Sequence, residues 1–163
     1  MKRVLITGMS GTGKSAVILE LARRGYCAID LDTPEWSHWV AVDPDDTLTP
    51  SCGRDWVWQE DRVRELLSTS RGDYLFVSGC AENMRNLFDV IDTIVLLSAP
   101  VNTLMHRLAQ RMAKGYGHTA EERSKVAKLL ETIEPLLRQF AHHEIDTTTR
   151  PVDETVAAIL ALS

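Results

Sequence analysis

The stretch Gly8-Met9-Ser10-Gly11-Thr12-Gly13-Lys14-Ser15 concentrates more chemistry than any other part of this 163-residue chain. Gly8, Gly13, Lys14 and Ser15 satisfy G-x-x-x-x-G-K-[ST], with a β-type apolar run before the loop and a helical pattern after it. Glycines let the backbone turn tightly and aim its N–H groups at phosphate oxygens, and a helix that starts there adds a positive dipole end. Lys14 suits the β- and γ-phosphates, and Ser15 can give an oxygen to Mg²⁺. Gly8, Ser10, Gly11, Thr12, Gly13, Lys14 and Ser15 are therefore the candidate site for a nucleoside triphosphate, ATP with Mg²⁺. Alone, the loop leaves phosphoryl transfer and simple hydrolysis equally open.

A second constellation, Asp30-Leu31-Asp32, stands where the second β-type run ends. That end is the carboxyl edge at which ligands of open α/β sheets bind. Residues i and i+2 of extended backbone point to one side, so both carboxylates can face the loop. One, assigned to Asp30, can hold Mg²⁺ through water. The other, assigned to Asp32, can accept a hydrogen bond from an acceptor hydroxyl and align it for in-line attack. The bland alternative is a pair of solvated loop aspartates capping the next turn. Arg85 follows the third β-type run and is placed to meet an anionic group on the acceptor, while Arg54 and Arg62 flank the other wall. Trp36, Trp39, Trp56 and Trp58 cluster around the same segment. They line an acceptor pocket, Trp56 first among them, or form a satellite core.

These residues need a scaffold, and the pattern supplies one. Arg3–Thr7, Tyr26–Asp30, Tyr74–Ser78, Thr93–Leu97 and His143–Asp146 read as strands. Lys14–Arg24, Asp55–Ser68, Val101–Met112 and Val152–Leu162 read as helices, the first stopped by Gly25. Thr119-Ala120-Glu121-Glu122 is a capping box opening a further helical run, in which Pro135 predicts a kink or break. Strands alternating with helices imply right-handed crossovers and a parallel sheet covered on both faces. Leu31 to Arg54, with Pro34, Pro44 and Pro50, resists this alternation and reads as a loop or small lid subdomain.

Bulk properties narrow the classes. The length fits a single domain over residues 1–163, and 44% hydrophobic with 25% charged residues is ordinary globular composition. A net charge of −5 argues against a general nucleic-acid binder. Cys27, Cys52 and Cys80 lack metal or disulfide spacing, which suggests reduced thiols in a cytoplasmic protein. His106, His118, His142 and His143 lack ligand spacing and read as surface or lid residues. Met1-Lys2-Arg3 with three apolar residues after it does not read as a secretory signal, and no apolar run is long enough to span a bilayer.

The phosphate loop, the D-x-D after the second strand, and Arg107-Leu108-Ala109-Gln110-Arg111 late in a compact chain together resemble the small P-loop kinases, the nucleoside monophosphate, shikimate and gluconate kinase group. The resemblance implies a three-layer α/β/α P-loop NTPase fold with a five-stranded parallel sheet. It implies an irregular acceptor-binding insertion over residues 31–72 and a lid loop over residues 113–120. It also implies that Arg107 and Arg111 serve the nucleotide, with Arg111, beside the glycine-bearing segment 113–119, stabilising the transferring charge. Arg150, in the loop before the last helix, matches in position the loop that packs on adenine in those kinases, and it either stacks on the base or belongs to an ordinary polar loop. Ser78 stands where many P-loop proteins carry a Walker B acid, a departure closer to the shikimate kinase style than to adenylate kinases. The expected function is transfer of the γ-phosphate of ATP to a small nucleotide, sugar or hydroxy acid, by a monomer or homodimer without nucleic-acid or membrane partners. The alternative is an ATPase or switch without an acceptor.

Overall fold

The computed structural model describes residues 1–46, 49, 52–69, 72–110 and 120–163. Strands β1 (Lys2–Thr7), β2 (Cys27–Asp30), β5 (Tyr74–Ser78), β6 (Thr93–Ser98) and β7 (His143–Asp146) form one parallel sheet in the order β2-β5-β1-β6-β7. Helices α1 (Lys14–Arg23) and α5 (Val152–Leu162) cover one face. On the other face lie α2 (Glu60–Ser68), a 3-10 segment (Glu82–Val90), α3 (Val101–Ala109) and α4 (Ala120–Phe140). The three-layer expectation is met.

The central strands read as unbroken apolar runs because both faces are buried. In β1, Val4 and Ile6 pack under α1 and α5, whereas Leu5 packs under the opposite layer. Leu5 is fully buried, so Leu5→Ala is expected to cost about 2–5 kcal/mol through lost transfer energy and the cavity left behind. Helix α1 ends as its sequence demands. Gly25 takes φ +91°, its N–H donates to Ala22 O at 3.0 Å, and Tyr26 N donates to Leu21 O at 3.1 Å. That pair of bonds is a Schellman cap, which favours glycine at the left-handed position.

Two expectations fail. The run Asp55–Ser68 is not one helix, because its first part belongs to β4 (Arg54–Trp58), paired antiparallel with β3 (Ser37–Ala41). The segment expected to be irregular thus contains one strand of a hairpin and leads into the other. Cross-strand packing outweighs the helical spacing of Val57 and Val63: Trp39 and Trp56 face each other with ring centroids 5.1 Å apart, and Arg54 lies 4.5 Å above Trp39. Second, Pro135 does not break α4, which runs through it. The following turn is held by Leu137 in the core and by Arg138, which bonds Glu134 at 2.9 Å and Glu144 at 2.6 Å. Thr119 of the expected capping box and the glycine-bearing segment before it lie outside the described residues.

Candidate functional site

The carboxyl ends of β1, β2 and β5 meet the start of α1, and there the chain forms a cleft of about 360 Å³. Ser10, Gly11, Gly13, Lys14, Ser15, Asp30, Asp32 and Arg107 all line it. Residues from three separate stretches of sequence converge on one space of ligand size.

The loop's shape follows from its glycines. Gly13 is the residue before α1 and takes φ +103°, a left-handed conformation that costs glycine little. A Cβ on Gly8 would stand 2.4 Å from Leu97 O, so only glycine lets the loop pass so close to β6. Thr12 is buried, and its hydroxyl donates to Met9 O at 2.8 Å, closing the loop on itself. Gly8 and Thr12 thus hold the loop, while its other candidates face the cleft. The Lys14 ammonium folds back over the loop, donating to Gly8 O at 2.5 Å and Met9 O at 3.2 Å. The first-turn amides of α1 have no acceptors within the helix, so loop, helix start and ammonium together make a concave anion receptor.

The two aspartates differ in environment. Asp30 sits at the mouth, where Ser15 Oγ donates to its Oδ2 at 3.4 Å and its Oδ1 accepts from Asp32 N at 3.0 Å. Asp32 is boxed in. Its Oδ1 accepts from Trp58 Nε1 at 3.1 Å and from Cys80 N at 3.3 Å, and its Oδ2 accepts from Cys80 N at 3.1 Å. Burial pushes the Asp32 carboxyl above its ordinary value and Asp30 adds to this, while Lys14 and the bonds from Trp58 and Cys80 pull it back. Burial likewise raises the Cys80 thiol, so that thiol stays neutral.

Arg107, from α3, fastens the loop to the chain after β7. Its guanidinium donates to Gly11 O and to Thr147 Oγ1, both at 3.1 Å, and also to the carbonyls of Thr147 and Thr148. Thr147 Oγ1 in turn donates to Thr12 O at 2.9 Å. Other candidates stand apart from the cleft. Trp56 donates its indole N–H to the main-chain oxygen of Asp32 at 2.8 Å, and Arg54 lies on Trp39 at the hairpin. Arg85 lies 5.9 Å from the ring centre of Phe140, and Arg62 lies 5.1 Å from that of Trp36. Arg150 is exposed, with Nε 3.4 Å from Asp146 O. Arg111 and residues 113–119 of the expected lid loop lie outside the described residues, and Ala120 begins α4.

Sequence reasoning named Trp58 only within the tryptophan cluster, without its bond to Asp32, and missed Gly79, Cys80, Asn83 and Thr147 as parts of the site. Gly79, directly after β5, carried a readable signal as a glycine at a sheet edge. Asn83 carried none: its side chain accepts from Trp58 N at 3.1 Å and donates to Trp58 O at 2.9 Å, replacing a neighbouring strand for β4.

Among the described residues no cluster of three or more His, Cys, Asp and Glu side chains could cage a metal, and no helix is long and apolar enough to cross a membrane. The family model described as AAA domain matches residues 4–129. No curated protein matches the sequence. Among solved structures, a shikimate kinase from Acinetobacter baumannii in complex with shikimate superposes with a TM-score of 0.65 at 21% identity, covering 99% of this chain and 92% of that one. A gluconokinase from Sinorhizobium meliloti 1021 gives 0.60 at 24% identity, covering 98% and 90%. A shikimate kinase from Bacteroides thetaiotaomicron gives 0.61 at 18% identity, covering 99% and 97%. At these identities the likeness is one of fold.

Proposed function

The chain belongs to the AAA domain family and has the P-loop NTPase fold, and from this we propose that it is an ATP-dependent kinase that phosphorylates a small molecule. The observation that carries the reading is the meeting of two half-sites in one cleft. Lys14 and Ser15 stand at one wall, and a largely desolvated Asp32, under the influence of the Lys14 charge, stands at the other. A carboxylate beside a phosphate loop can orient either a water or an acceptor hydroxyl, and the fold shared with a shikimate kinase and a gluconokinase favours the acceptor. Structural neighbours include kinases of shikimate and, by its name, gluconate, which supports a small polyhydroxylated or carboxylated acceptor.

In this reading the loop amides and Lys14 hold the β- and γ-phosphates, and Arg107 borders the nucleotide side of the cleft. Asp32 accepts the proton of the acceptor hydroxyl as its oxygen bonds to the γ-phosphorus. The bond to the β-phosphate oxygen then breaks and its electron pair leaves with ADP. Arg111 would close on the transferring phosphoryl from the lid.

The residues present fit a magnesium ion. Ser78 Oγ is buried and without a hydrogen-bond partner among the described residues. Ser78 pairs with Asp30 in the sheet, and it lies two residues after Phe76, which faces α1, so its hydroxyl shares the face of Ser15. Two hydroxyls and a carboxylate are an all-oxygen set suited to a hydrated hard cation. Ser15 and Asp30 would hold the ion, which when bound supplies charge neutralisation to the phosphates.

The test is ADP release with Mg²⁺, measured alone and against a panel of nucleotides, sugars, hydroxy acids and antibiotics. Release that depends on one acceptor class is expected. Rapid release indifferent to every acceptor would establish the ATPase reading instead.

A further inference from the structure

Trp58 is the largest fully buried side chain, at 1% exposure, yet its only polar atom is spent on a carboxylate in the cleft rather than on core structure. Its neighbour two residues back on β4, Trp56, donates to the backbone of the same aspartate. Asp32 is thus gripped twice from the hairpin, 24 and 26 residues away in sequence. Gly79 makes room for this: a Cβ there would lie 2.7 Å from Asp32 Oδ1 and 2.9 Å from Trp58 Cζ2. Strand end, indole and carboxylate touch without a spare methyl's width between them.

We infer that Trp58 is the positioning residue of the proposed site: its indole N–H, together with the Cys80 amide, pins Asp32 so that Oδ2 takes the acceptor's proton. The inference rests on the kinase reading and names the atom within it. The single Cys80 N–H is shared, at 3.3 Å from Oδ1 and 3.1 Å from Oδ2; Oδ1 has the Trp58 N–H besides, while among the described residues Oδ2 has the shared amide alone. A carboxylate oxygen has two lone pairs, so Oδ2 keeps one for the acceptor hydroxyl. The proton moves from the acceptor oxygen to Oδ2 as that oxygen bonds to the γ-phosphorus, and no further reactant is needed.

The experiment measures acceptor-dependent ADP release, using the member of the acceptor panel that gives the fastest release in the wild type. Trp58→Phe is the first variant. The second replaces Trp58 with benzothienylalanine, which keeps the indole's shape without its donor and covers the case in which Phe leaves a cavity that unfolds the protein. In both, kcat is expected to fall roughly tenfold while the KM for ATP, and ATP affinity by calorimetry, stay as in the wild type. A kcat equal to the wild type in the benzothienylalanine protein overturns the inference. Release indifferent to every acceptor in the wild type overturns the kinase reading, and the inference with it.

Discussion

The two walls of the cleft are built by different means. The phosphate wall is made of backbone: glycines at 8, 11 and 13 with positive φ, a helix start, and one ammonium resting on loop carbonyls. The proposed acceptor wall is Asp32, set by two indoles from the β3–β4 hairpin, with β4 in turn set by the amide of Asn83. A triphosphate presents the same oxygens in every enzyme that binds it, so a backbone cradle serves without change. An acceptor differs from one enzyme to the next, and side chains on a two-stranded arm can be exchanged without disturbing the parallel sheet. What is common is held by main chain, and what is particular is held by residues.

The largest expected effect breaks the phosphate wall. Lys14→Ala should lower ATP turnover by about a hundred- to a thousandfold, the order seen when one fixed charge-stabilising donor is lost, with little change in thermal midpoint. Steady-state kinetics and a melting curve measure the two.

Next comes Asp32→Asn, which separates the walls. Turnover should fall by about a hundredfold or more while ATP affinity, measured by calorimetry, stays close to wild type. Its effect on stability has the opposite sign. The folded-state carboxyl lies above its ordinary value, so the folded protein binds the proton more tightly than the unfolded chain. Stability from this group is therefore lost as pH rises from the ordinary carboxylate value through the raised one. Asp32→Asn should be more stable than wild type at neutral pH, and the gap should close as pH falls. Denaturant midpoints at a series of pH values read this out, and a gap that widens toward acid would show that burial does not dominate at Asp32.

Gly79→Ala tests how tightly the acceptor wall is assembled. The added methyl meets the carboxylate and the indole, and a loss of about 1–3 kcal/mol in unfolding free energy is expected from overpacking, with turnover reduced and ATP binding retained. The smallest effect belongs to the outer hairpin. Trp39 is 44% exposed and, among the described residues, its ring meets Trp56 edge-on and lies under Arg54, so Trp39→Ala should cost no more than about 1 kcal/mol. A rise in acceptor KM without change in ATP affinity would extend the acceptor wall to the hairpin tip.

The same division governs what could be read from the chain. β1 and β5 are legible because a buried parallel strand is an apolar run with no competing pattern, and Lys14 and Ser15 because their spacing is tied to one backbone shape. Helix α1 was legible to its last turn through Gly25. The hairpin was not, since Val57, Val63, Leu66 and Leu67 fit helical spacing as well as Trp56 and Trp58 fit alternation. Only the pairing of Trp39 with Trp56 decides between them, and that pairing depends on tertiary structure. Asp32 was legible as a chemical group but its partners were not. A hydrogen bond from Trp58, like one from Cys80, leaves no periodic trace in sequence. Arg54, Arg85 and Arg150 were read from their place along the chain as well as their charge; all three are exposed and none lines the cleft, since neither signal fixes where a long side chain points.

The clasp of Arg107 and Thr147 bears on the order in which the chain becomes competent. Thr147 Oγ1 bonds Thr12 O across 135 residues, and Arg107 reaches Gly11 across 96. The phosphate loop is made well before the segments that fasten the carbonyls of Gly11 and Thr12. A nascent chain therefore carries the loop's sequence long before it carries a loop of fixed shape. Nucleotide affinity is in this sense a late event, gained when β7 docks at the sheet edge and the segment after it closes over the loop.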